Sequence, residues 1–155
     1  MELPSKSSSS RPRFTKVATG MLEIELQEVA AALGLAPAIQ GVDVGNVLHM
    51  DAIDGRCLAE LYTDTDPDRV PRWLWAEIHR ILEILFAREG IEYVDITAYN
   101  FVLETATQKV WIIDFGHAYY TKAVSAAAEG GVRTPDNWFL RQMLEGECGW
   151  NPDFA

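Results

Sequence analysis

The stretch between Pro71 and Gly90 constrains this chain most. Leu74, Ile78, Ile81 and Leu85 recur at helical spacing on one face, so a single amphipathic helix is predicted from Pro71 to Arg88. Pro71 suits the first turn, where its missing N–H costs nothing, and Gly90 suits the C-terminal cap. Beyond this helix, Phe101-Val102-Leu103 and Val110-Trp111-Ile112-Ile113 are β-prone runs separated by the polar stretch Glu104 to Lys109, the pattern of a hairpin with an exposed loop.

The 155 residues, 48% of them hydrophobic, suffice for one domain with an apolar core and are too few for two ordinary ones. The expected division is a disordered, serine-rich tail over 1–13, without the apolar stretch of a secretory signal, and one α+β domain over 14–155. Acidic residues outnumber basic ones by 23 to 13, giving a formal charge of −10 that argues against nucleic-acid or anionic-membrane partners. No run of about eighteen apolar residues reads as a membrane span. Cys57 and Cys148 have neither CxxC spacing nor a His partner pattern, so an intracellular compartment, cytoplasmic or nuclear, is expected.

Toward the N-terminus, a short strand is expected over Phe14 to Val17. A helix is expected from Met21 to Leu33, with Leu22, Leu26, Val29 and Leu33 on its apolar face and Gly34 at its end. Asn46 to Met50 reads as a buried strand, Leu58 to Tyr62 as a brief helix, and Trp138 to Leu144 as a last short helix behind the cap candidates Asp136 and Asn137. Ala123 to Gly131 is a small-residue segment. The tail aromatics Trp138, Phe139, Trp150 and Phe154 are expected to cover apolar surface.

Three polar residues have no obvious packing use: Asp95 and Asn100 in the loop after the central helix, and Asp114 directly after an apolar run. Two carboxylates and a carboxamide are hard oxygen ligands suited to Mg²⁺, and phosphoryl transfer needs both metal neutralisation and an acceptor to orient the attacking hydroxyl. The same residues also have an ordinary structural use, as turn-closing and capping groups.

The ordered set of helix, Gly90, Asp95, Asn100, hairpin and Asp114-Phe115-Gly116 resembles the catalytic loop and D-F-G metal loop of protein kinases. The resemblance covers roughly Lys16 to Ala118. It implies Asp95 as catalytic base, Asn100 and Asp114 as Mg²⁺ ligands, and ATP as the phosphoryl donor. It further implies Lys16 as the strand lysine on the phosphates and Glu25 as its helix partner, with Glu23 and Glu28 competing for that role. Val47 to Gly55 resembles the hinge between lobes, with Met50 near the gatekeeper and the following backbone, from Asp51, against the adenine.

Departures bear on activity. Tyr93 and Val94 stand where the family has His and Arg, no Gly-rich phosphate loop precedes Lys16, and the residues after Gly116 are too few for the family's substrate-binding helices. The resemblance therefore implies a protein-kinase-like fold with a reduced N-terminal lobe and a truncated C-terminal lobe. Its expected function is an ATP- and Mg²⁺-dependent phosphotransferase, or alternatively a pseudokinase serving a protein partner that completes or uses the reduced lobes. A metal-dependent phosphohydrolase is a third reading, but no dedicated nucleophile or two-metal cluster supports it. His49, His79 and His117 lack metal-ligand spacing and read as structural.

Overall fold

The computed structural model describes residues 11–63, 66–122 and 133–154. Within them the chain is mixed α+β, with small antiparallel sheets and four α-helices. Strand β1 (Arg13–Val17) leads into helix α1 (Met21–Ala32), followed by β2 (Ile39–Asp43), β3 (Val47–Asp51), β4 (Gly55–Cys57) and the one-turn α2 (Leu58–Leu61). A 3₁₀ turn, Pro67–Arg69, precedes α3 (Arg72–Glu89); β5 (Ile91–Glu92), β6 (Phe101–Glu104), β7 (Val110–Ile112), β8 (Tyr119–Tyr120) and α4 (Trp138–Leu144) complete the order. No described helix is long and apolar enough to cross a membrane.

The central helix forms as its stripe dictates. Leu74, Ile78, Ile81 and Leu85 are fully buried, and truncating any one to Ala would cost about 2–5 kcal/mol. Gly90 caps the helix at φ 69° and turns the chain straight into β5. Against this helix packs the core shared by Leu26, Leu58, Phe101, Ile112 and Phe115.

Two three-stranded sheets flank the approach to the core. One has the order β1-β3-β2, and the other the order β4-β6-β7. Ala52 to Asp54 links β3 to β4 and so joins the two sheets. Gly55 opens β4 where a side chain cannot fit, since a Cβ there would sit 2.8 Å from the Glu104 Cα. β5 pairs with β8 in a separate two-stranded ribbon.

Several expectations are met closely: the strand at 14–17, the central helix, the hairpin and the terminal helix, where the Asn137 side chain accepts from the Phe139 and Leu140 N–H groups. Others shift. Arg11 pairs with Asp51 at 2.9 Å and Arg13 starts β1, so these residues, expected in the tail, are tied to the first sheet. In α1 the buried residues are Glu23, Ile24, Leu26, Gln27 and Ala30, with Val29 and Leu33 packed against the core, whereas Leu22 is exposed. The Ala123–Gly131 segment lies outside the described residues. Of the tail aromatics, Trp150 is buried with its ring centroid 4.5 Å from that of Trp75, while Trp138 is exposed.

Candidate functional site

A cleft of about 580 Å³ opens between the two sheets. Phe14 and Lys16 line it from β1, Met50 and Asp51 from β3, Val102 from β6, and Asn100, Ile113 and Asp114 from the loops below. The volume is that of a small-molecule site, and the walls are mainly apolar. Lys16 is the one cation among its described lining residues.

Alternation along β1 places Lys16 on the same face as Phe14, directed inward beneath the sheet. Its Nζ lies 2.6 Å from Glu23 Oε2 and 3.4 Å from Asp114 Oδ1. Burial on its own would depress the Lys16 pKa, but the hydrogen-bonded Glu23 carboxylate and the charge of Asp114 outweigh it and leave the ammonium raised above its ordinary value. Lys16 is therefore a fixed cation at neutral pH.

The partner of Lys16 is Glu23, not the expected Glu25. Glu25 faces solvent and accepts from the Tyr120 hydroxyl at 2.7 Å. Glu23 belongs to the buried face because it is separated from Leu26, Gln27 and Ala30 by three, four and seven positions. Its Oε1 accepts from the Thr19 N–H at 2.8 Å and from the Thr19 hydroxyl at 3.1 Å, which leaves Oε2 for Lys16. One sequence signal marks it: Glu23 is the third residue of the helix, from which a carboxylate reaches back to the backbone at the N-terminus.

Asp114 is separated from the end of β7 by Ile113 and sits at φ 65°, a left-handed conformation that Asp tolerates better than most residues. Its Oδ1 accepts from the Gly116 N–H at 3.1 Å, closing a tight turn. Gly116 leaves room there: a Cβ on it would lie 3.3 Å from Asp114 Oδ1 and 3.5 Å from Glu23 Oε1.

Asn100 is buried and joins both halves of the site. Its Nδ2 donates to the Asp95 carbonyl at 2.9 Å, and its own carbonyl accepts from the Ile113 N–H at the same distance. Tyr93 adds a second tie, donating its hydroxyl to the Ile113 carbonyl at 2.6 Å with its ring edge-on to Phe115. Full burial first, then the Asp95 and Asp114 charges, push the Tyr93 phenol well above its ordinary range, so it stays a neutral donor. Asp95 itself stands outside the described lining residues, with His117 Nδ1 3.2 Å from its Oδ2.

The linker between the sheets lines the cleft through Ala52 and Ile53. Met50 is buried at the back, its sulfur 3.7 Å from the Gln27 amide. Asp51 lines the cleft beside Met50 and is tied to the neighbouring strands. Its N–H donates to the Ala38 carbonyl and its carboxylate binds Gln40 and Arg11, while the Ala52 N–H donates to Pro12, so neither amide is available to a ligand.

Lys16, Asn100 and Asp114 therefore converge on one cleft, with Asp95 joined to them through Asn100, whereas Glu25 lies elsewhere. Among the described residues no group of three or more His, Cys, Asp or Glu side chains is placed to hold a metal by itself. A scan against protein-family models and a search of curated proteins give no match to this chain.

Proposed function

We propose that this chain is a pared-down, protein-kinase-like phosphotransferase that takes its phosphoryl group from ATP with Mg²⁺. The observation that carries the reading is the position of Lys16. It bridges Glu23 on a helix and Asp114 at a strand end, on one wall of an apolar cleft sized for a nucleotide. Lys16 is half-buried, and the two carboxylates hold its ammonium in a fixed position at the cleft wall. In an acidic protein it supplies the positive charge that phosphates require.

The donor set fits Mg²⁺. This ion binds through one or two carboxylates plus phosphate oxygens and water, so Asp114 with the Asn100 side-chain oxygen is sufficient, and a three-carboxylate cage is unnecessary. Bound there, the ion would neutralise charge developing on the transferring group. Asp95 serves as the acceptor for the attacking hydroxyl's proton, and Asn100 fixes its distance from Asp114 through the Asp95 carbonyl. Ile53, Met50 and Phe14 form the apolar slot for the base.

One observation favours a binding module without turnover. Tyr93 and Val94 are both buried and spent on packing, so the loop carries no cation beside Asp95 of its own. The two readings separate in one assay. Purified protein is incubated with γ-labelled ATP and Mg²⁺, with Asp95→Ala as control. Label transferred to the protein or to an added acceptor, and lost in Asp95→Ala, supports the phosphotransferase. Nucleotide binding without transfer in either protein supports the module.

A further inference from the structure

We infer that Asn151 is a positioning residue for Asp95, and that the tail from Trp150 to Phe154 is a strap holding the Asp95 loop in place. The inference rests on the phosphotransferase reading for Asp95 but is drawn from different contacts. Asn151 is fully buried and its Nδ2 donates to the Val94 carbonyl at 2.8 Å. Its backbone N–H donates to the Ile96 carbonyl at the same distance. One residue thus holds the carbonyls of the residues before and after Asp95. Within the loop itself the Ile96 N–H donates to the Val94 carbonyl, the Asn100 N–H to the Thr97 carbonyl and the Asn100 Nδ2 to the Asp95 carbonyl, and the carbonyl of Ile96 is left to Asn151.

The strap has its own anchors. Trp150 packs against Trp75 of α3 with the rings tilted by 42°, and Asn151 Oδ1 accepts from the Asp153 N–H at 3.0 Å, closing a turn that brings Phe154 onto the His117 ring at 5.0 Å between centroids. His117 in turn contacts the Asp95 carboxylate. The tail therefore reaches Asp95 twice, through its flanking carbonyls and through the imidazole beside its side chain. A carboxylate that must orient a hydroxyl tolerates little misplacement, and losing such a brace costs turnover while ground-state binding in a separate cleft persists.

The test uses the full chain with Asn151→Ala and Asn151→Asp, the second keeping the size and the Asp153 contact while losing the donor to Val94. Amide hydrogen exchange is read at Ile96 and across α3, alongside phosphotransfer kinetics. The expected result in both variants is Ile96 exchange faster by about tenfold or more with α3 unchanged. Turnover should fall on the order of tenfold to a hundredfold, with KM for ATP unchanged. Unchanged Ile96 exchange, or unchanged kcat, overturns the inference. Exchange accelerated equally across α3 also overturns it, since Asn151 would then be a general stability residue. If the wild type binds Mg²⁺-ATP but transfers nothing, the phosphotransferase reading fails, and the Ile96 exchange alone decides whether the strap exists.

Discussion

Lys16 Nζ and Glu23 Oε2 lie 2.6 Å apart with the carboxylate almost wholly buried, and this ion pair joins the first sheet to the first helix at the wall of the cleft. Removing Glu23 leaves Lys16 half-buried with only Asp114, so Glu23→Gln should destabilise the protein by roughly 2–4 kcal/mol. It should also weaken Mg²⁺-ATP binding. Glu25→Gln, on the exposed face, should change neither by a measurable amount. Chemical denaturation and nucleotide titration of the two variants make the comparison.

The pH dependence of the pair follows from the raised Lys16 pKa. A lysine raised above its unfolded value of 10.5 contributes stability that is complete below that value and is lost as pH rises through the folded pKa. Wild-type stability should therefore show a loss above pH 10.5 that is absent from Lys16→Met. Stability measured from pH 8 upward by about half-unit steps tests it.

Glu23 shows where sequence reading reached its limit. Periodicity located α1 within a residue, and of the face chosen by apolar spacing Leu26 is buried and Val29 and Leu33 pack against the core, whereas Leu22 is exposed and the fold buries Glu23, Ile24, Gln27 and Ala30 instead. The burial of Glu23 depends on a lysine from another element, which helical periodicity does not contain. The convergence of Asn100 and Asp114 on one cleft is legible because their spacing around a hairpin is local. Asn151 is not, because its partners lie more than fifty residues away, and an Asn before Pro reads only as a turn.

Asp114 combines a charge with a left-handed backbone, and two substitutions separate these roles. Asp114→Asn tolerates φ 65° and should leave stability nearly unchanged while abolishing metal-dependent nucleotide affinity. Asp114→Ala should lose about 1–2 kcal/mol in addition, from strain and the lost bond to Gly116. Thermal unfolding of the two variants distinguishes them.

Tyr93→Phe removes the hydroxyl that donates to the Ile113 carbonyl inside the core. A buried acceptor left unsatisfied costs about 1–3 kcal/mol, and the loop before Asp95 loses its tie to the strand before Asp114. Stability should fall by that amount, and phosphotransfer should fall further than nucleotide affinity. A kinetic comparison of Tyr93→Phe with the wild type checks it.

Tyr120 titrates at about 12, held up by desolvation and then by its hydrogen bond to Glu25. Replacing Glu25 by Gln should bring this phenol down toward 10, its ordinary value, in an ultraviolet alkaline titration. An unchanged titration curve would show that the Tyr120–Glu25 bond does not persist in solution.

The most direct measurement is a calorimetric titration of Mg²⁺-ATP into the wild type and into Asp114→Asn, repeated with the metal chelated. The account predicts saturable binding by the wild type that requires Mg²⁺, and little or none by a folded Asp114→Asn. Absence of binding by a folded wild type, or binding indifferent to both the metal and Asp114, would contradict it.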